Sequence, residues 1–116
     1  MTQWLKHHMD GPAFWLVPAI GTLGQIEGEA LTAAISTAVA DGHQQVVLDL
    51  EAVDLMTSPA IGAIIVMHKR LTLAGGILIL TNLSSMLRET LAFLKLDQVL
   101  TVCHSAEEVK RSLRPT

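Results

Sequence analysis

The sequence predicts an α/β fold, one domain over residues 1–116 with a mostly parallel or mixed sheet of four to five strands flanked by about four helices. Three observations carry that prediction. Short apolar runs alternate with segments whose apolar residues recur at helical spacing. Two of the runs, Val46 to Leu50 and Ile77 to Leu80, are almost continuously apolar, as strands covered on both faces must be. Asp41-Gly42 and Ala74-Gly75-Gly76 then close the intervening helical segments with the glycines that helix ends favour.

Residues 3–8 supply a first strand and Phe14 to Val17 a second. Pro18 ends or weakens the second strand, because proline cannot donate to a ladder and suits an edge or a bulge. Gly21 and Gly24 bracket a turn. From Glu27 to Ala40, Leu31, Ala34, Ile35, Ala38 and Val39 follow helical spacing, and Gly42 stands at the expected cap. The strand Val46 to Leu50 leads through a loop, Glu51 to Thr57, into a helix from about Pro59 to Leu73. After the strand Ile77 to Leu80, a helix from about Ser85 to Leu94 places Met86, Leu87, Thr90, Leu91 and Leu94 on one side. Val99 to Val102 reads as a last strand. Ser105 with Glu108 forms a capping box that opens a short C-terminal helix.

Composition narrows the function. A length of 116 residues, half of them apolar, suffices to fold without metal or disulfides. Aromatic residues make up 3%, so the core must rest on Leu, Ile, Val, Ala and Met. With a net charge of -3 and basic clusters only at His68-Lys69-Arg70 and Lys110-Arg111, no nucleic-acid partner is expected. Cys103 is the single cysteine, which points to a reducing cytoplasm. Met1 to Asp10 lacks the apolar core of a signal peptide. The apolar stretch Pro59 to Met67 is about nine residues, against roughly twenty for a membrane span, so membrane insertion is not expected.

The informative segment is Leu55-Met56-Thr57-Ser58-Pro59-Ala60-Ile61-Gly62, where a buried strand has ended and a helix begins. Ser58 is a preferred helix cap, Pro59 suits the first helical position, and proline drives the residue before it toward the extended backbone a cap needs. A phosphate on Ser58 would meet the positive end of the helix dipole, adding charge to a surface without breaking the helix. The following residues, Ala60 to Met67, leave no polar face for two turns, so the helix is either buried all round or offers apolar surface to a partner.

Val46-Val47-Leu48-Asp49-Leu50 followed by Met56-Thr57-Ser58-Pro59-Ala60-Ile61-Gly62 resembles the signature of the STAS family (sulfate transporter and anti-sigma factor antagonist), a strand ending Asp-Leu and then Asp-Ser-Ser-Gly-Leu-Gly at a helix start. Lys69-Arg70-Leu71 before Ala74-Gly75-Gly76, the strand Ile77 to Leu80, and Ser84 with Leu91 to Leu96 extend the resemblance over about residues 12–113. The resemblance implies a non-catalytic, cofactor-free switch of the bacterial anti-sigma factor antagonist type, acting in transcription regulation. It would bind a kinase-type anti-sigma factor and let go once the serine matching Ser58 is phosphorylated. The implied partner surface comprises Gly21, Asp54, Leu55, Met56, Thr57, Ser58, Pro59, Ala60 and Ile61. Thr57 stands for the family's Asp, Pro59 for its second Ser, Ala60 for its Gly, and Gly24 for the Asp of an earlier Gly-x-Leu-Asp motif. These departures remove acidic groups near the site and make Thr57 a second candidate acceptor. They also suit an alternative: a constitutive STAS subunit of a lipid-transport ATPase complex or another signalling assembly.

Other constellations read as structural. His7 and His8, adjacent on a strand, point to opposite faces and cannot chelate together. Cys103 and His104 sit side by side, where a nucleophile and its base rarely meet. Asp49, Glu51 and Asp54 crowd a strand end without a Gly-rich phosphate loop, and read as solvated carboxylates. Trp4 and Trp15 supply the large aromatic area besides Phe14 and Phe93, and read as packing in the core or at the sheet edge, whereas exposure of either would suggest an interface. No metal site is expected.

Overall fold

The computed structural model describes residues 3–114; the first two and last two positions of the predicted domain lie outside them. Among the described residues seven strands and four helices follow one another as β1 (Leu5–Asp10), β2 (Ala13–Pro18), β3 (Thr22–Leu23), α1 (Gln25–Ala40), β4 (Gln45–Asp49), β5 (Leu55–Met56), α2 (Ser58–Leu73), β6 (Ile77–Thr81), α3 (Ser85–Phe93), β7 (Thr101–Cys103) and α4 (Ala106–Ser112). The main sheet has the order β1-β2-β4-β6-β7, with β1 antiparallel to β2 and every other neighbour parallel. This is the mixed, mostly parallel sheet expected from the alternation of elements.

Each crossover from β2 through α1 to β4, from β4 through α2 to β6, and from β6 through α3 to β7 steps the same way along the sheet. Crossovers of one hand therefore put α1, α2 and α3 on one face. Leu16, Val46, Leu48, Leu78 and Leu80 meet these helices there, with Leu31 and Ile35 from α1, Ile64, Met67 and Leu71 from α2, and Leu87 and Leu91 from α3. The intervening strand residues Val47 and Ile79 point the other way, into a smaller cluster with Ala13, Cys103 and Val109 of α4. Helices on both faces explain why β4 and β6 read as continuous apolar runs rather than alternating ones.

The loops obey local chemistry. Gly42 takes φ +97° just past α1, a left-handed conformation that an L side chain resists. Ser84 caps α3 through its Oγ, which accepts from the N–H of Leu87 at 3.1 Å. Ser84→Ala is expected to cost about 1 kcal/mol in urea denaturation, the ordinary value of such a cap. Gln45 is a buried polar side chain: its Nε2 donates to the carbonyl of Arg114 at 2.8 Å and its Oε1 accepts the N–H of Arg114. That pair of bonds fastens the chain leaving α4 to the start of β4.

Four sequence expectations are corrected. The Phe14 strand is not at an edge: β2 lies between β1 and β4, and Pro18 is tolerated because it is the last residue, opposite Leu5 and beyond the β4 pairing. The loop Glu51 to Thr57 contains β5, which pairs in parallel with β3 as a separate two-stranded sheet. Two-residue strands carry no periodicity and are invisible to it. Residues Leu96–Gln98 form a 3-10 turn, entered through Lys95 at φ +60°, so the last strand begins at Thr101 rather than Val99. At α4 the Oγ of Ser105 accepts from Glu108 N–H at 3.1 Å, but the Glu108 carboxylate reaches back to the N–H of His104 instead of that of Ser105.

Candidate functional site

Beyond the carboxyl end of β4 the chain turns through Leu50 to Asp54 and runs along β3 before entering α2. Gly21 ties this turn from outside. Its carbonyl accepts from the N–H groups of both Asp54, at 2.8 Å, and Leu55, at 3.1 Å. Thr22 then stands opposite Leu55 and Leu23 opposite Met56, and the N–H of Thr57 donates to the carbonyl of Leu23 at 2.9 Å. Two segments 33 residues apart in the chain thus become one unit, which brings Gly21 beside Asp54 and Leu55, and Leu23 beside Thr57 at the start of α2.

Strand alternation decides which side chains face out. Leu23 and Met56 are buried, while Thr22 and Leu55 are exposed, Leu55 to 51%. Gly21, Asp54, Ser58 and Pro59 are exposed with Leu55. Ala60 and Ile61 turn into the core with Met56. Those three, read from the sequence as partner-contacting, lie beneath the surface and support it. The uninterrupted apolar stretch from Ala60 to Met67 resolves the same way: Ala60, Ile61, Ile64 and Met67 are buried, and the outward positions are Gly62 and Val66.

The cap assignment is also corrected. Thr57, with φ -79° and ψ 166°, is the N-cap of α2, Ser58 is the first helical residue and Pro59 the second. Thr57 takes the extended backbone expected of a cap, but its hydroxyl makes no capping bond. Its Oγ1 is buried and unpartnered, facing Gly24. Ser58 stands free at the surface in the first turn of α2, which contains no acidic side chain. The two candidate acceptors therefore differ sharply in access.

Helix α1 holds this helix start in place. Gly24 caps α1, and its N–H donates to Glu27 Oε1 at 2.8 Å. One turn on, Gly28 lies against α2 so closely that a Cβ there would stand 3.2 Å from Ala60 Cα and 3.4 Å from Ala63 Cβ. A glycine inside a helical pattern was the available sequence signal for this crossing, because such a residue costs helix propensity and needs a packing reason. Gly28→Val is expected to cost about 2 kcal/mol by pushing the helices apart, read as a lower urea midpoint, and to weaken any binding that uses Ser58.

Asp49 has a structural role: its Oδ1 accepts from the N–H of Glu51 and from Asn82 Nδ2, both at 3.1 Å, which joins the ends of β4 and β6. Glu51 and Asp54 are exposed, as expected of solvated carboxylates. His7 stacks on Phe14 and His8 on Trp15, on opposite faces of the hairpin. Cys103 is buried with its Sγ 3.5 Å from Ser112 Oγ, while His104 is exposed. Among the described residues no three His, Cys, Asp or Glu side chains gather as metal ligands, and no helix is long and apolar enough to cross a membrane.

Two hollows of about 410 and 450 Å³ lie at the other end of the parallel strands, around the hairpin turn Gly11-Pro12, Gln45 and Arg114 or between Trp15 and α4. No residue from 54 to 62 lines either of them. The exposed side chains around Ser58 are of mixed polarity, Asp54 and Ser58 with Leu55 and Pro59. Sequence reading missed that β5 packs against α3, whose first turn exposes Met86 to 58%.

The model of the STAS domain family matches residues 14–112. No curated protein matches the sequence. Among solved structures, a candidate anti-sigma factor antagonist of Thermotoga maritima superposes with a TM-score of 0.86 at 17% identity, over 97% of this chain and 96% of its own. An anti-sigma factor antagonist of Mycobacterium paratuberculosis gives 0.80 at 18% identity, over 95% and 92%. The Bacillus cell fate determinant SpoIIAA in its phosphorylated form gives 0.69 at 22% identity, over 94% and 99%.

Proposed function

The chain belongs to the STAS domain family, and from that premise we propose that it is a non-catalytic protein-docking switch of the anti-sigma factor antagonist kind. It acts in the bacterial cytoplasm, binds a kinase-type anti-sigma factor through Gly21, Asp54, Leu55, Ser58 and Pro59, and is released when Ser58 is phosphorylated. The observation that carries this reading is the contrast at the start of α2, where the Ser58 side chain is exposed and the Thr57 hydroxyl is buried. A kinase reaches the first and not the second.

Charge supports the same reading. A phosphate at Ser58 adds about two negative charges near the exposed Asp54 and the apolar Leu55. The first turn of α2 tolerates it, because the N-terminal end of the helix dipole is positive. A partner that covers Leu55 would have to desolvate that charge, and release follows. SpoIIAA is a structural relative seen in a phosphorylated form, which suits a surface of this shape to modification.

A second reading is a constitutive subunit of a transporter ATPase assembly. It is favoured by the outer side of α2, where Val66 and Leu73 are exposed to 45% and 88% one heptad apart. Affinity capture from the native cell with wild type, Ser58→Ala and Ser58→Glu, followed by mass spectrometry, separates the readings. A kinase-like protein retained by wild type and Ala but lost by Glu supports the switch. A transporter ATPase retained by all three overturns it.

A further inference from the structure

Strand β1 ends the sheet with six residues, five of them exposed, whereas the opposite edge is the three-residue β7. Long free edges invite pairing, and short ones do not. The N–H of Ala19 donates to the carbonyl of Trp4 at 2.6 Å. In an antiparallel ladder bonded pairs alternate, so Lys6, His8 and Asp10 bond to β2 and the N–H and C=O groups of Leu5, His7 and Met9 point outward.

The side chains on this edge are complementary to themselves. Lys6 stands opposite Val17 and Asp10 opposite Ala13, so among the described residues neither charge has a cross-strand mate. We infer that the free edge of β1 pairs antiparallel with β1 of a second copy, with His8 on the two-fold axis. Outward backbone groups must meet outward groups, which rules out every one-residue slip. With His8 on the axis, His7 bonds to Met9 of the second copy and Met9 to its His7. Lys6 then faces Asp10 of the second copy, and Asp10 its Lys6, in the close non-bonded positions where side chains interact most strongly. A two-residue slip in either direction loses both charge pairs, because Lys6 then faces His8 or Pro12.

The product is one continuous sheet through two molecules. On the face that carries α4, the intrachain stack of His8 on Trp15, with centroids 5.6 Å apart, continues through His8 of the second copy. This pairing does not depend on the reading of Ser58, which lies on a different element, and it would present two docking surfaces to one partner assembly.

Sedimentation equilibrium on wild type, Lys6→Glu, Asp10→Lys and the double variant tests the inference. Wild type is expected to show a monomer–dimer equilibrium. Each single variant should weaken it about ten-fold by placing like charges opposite one another twice, and the double variant should restore it to within about three-fold. A monomer at all concentrations up to about 1 mM, or a dimer indifferent to the single variants, overturns it, as does failure of the double variant to restore. His8→Cys reads the register independently: mild oxidation should give a covalent dimer, because facing non-bonded positions lie within disulfide reach. Lys6→Cys should not cross-link to itself, and if it does while His8→Cys does not, the register is wrong.

Discussion

Ser58→Glu is expected to weaken binding of the captured partner by about a hundred-fold, close to 2.7 kcal/mol, while Ser58→Ala stays within about three-fold of wild type. Calorimetric titration of the purified partner gives both values. The magnitude follows from where Ser58 stands. It occupies the first turn of α2, exposed, three residues on from a half-exposed Leu55 and four from an exposed Asp54. A partner seated on Leu55 takes that first turn out of water, and a carboxylate placed there must shed its hydration in a turn that itself carries no basic side chain. Alanine removes only a hydroxyl that makes no capping bond. Thr57→Val provides the complementary control: its hydroxyl is buried and unpartnered, so its loss should leave affinity unchanged and stability unchanged or higher.

Gly76→Ala is expected to destabilise the protein by about 3 kcal/mol, at the upper end of overpacking costs, measured as a loss of urea midpoint at unchanged slope. Gly76 immediately precedes β6, where the chain passes over Gln44 at the end of the connection from α1 to β4. A Cβ there would collide with the carbonyl of Gln44, and the neighbouring N–H of Ile77 donates to that same carbonyl at 2.9 Å. The obstacle is backbone, so no rotamer change relieves it, and β4 and β6 must separate at their first pair, Gln45 with Ile77. Gly62→Ala is the contrasting case. Nothing lies within 4 Å of a Cβ at Gly62, which is exposed in the interior of α2. Removing a mid-helix glycine there should raise stability by up to about 1 kcal/mol.

The parts of the fold that were legible in the sequence are those where one periodicity runs long enough to be read. α1 and α2 span 16 residues each, and β4 and β6 are apolar on both faces, so their existence and type follow from pattern alone. Glycines at chain reversals fixed the ends, as Gly42 illustrates. The pairing of β3 with β5 was not legible, because two residues on each side carry no pattern and the bonds run through backbone groups of Gly21 and Leu23.

The candidate site was legible as a segment but not as a surface. Capping chemistry placed Ser58 at a helix start, yet could not tell that Thr57 is the cap or that its hydroxyl is buried. Nor could it tell that Met56, Ala60 and Ile61 face the core while Leu55 faces water. Those outcomes depend on which way a two-residue strand alternates and on how closely α1 crosses α2 at Gly28, both of which are tertiary facts. Gly28 and the Gly24–Glu27 bond steady the helix start on which Ser58 sits.

The most direct measurement is the site of phosphoryl transfer. The purified chain is incubated with its captured partner and Mg-ATP, and the product is mapped by peptide mass spectrometry alongside Ser58→Ala and Thr57→Val. The account predicts a single phosphate on Ser58, absent in Ser58→Ala, retained in Thr57→Val, and accompanied by dissociation of the complex. Phosphate on Thr57, or a stable complex that transfers none, would contradict it.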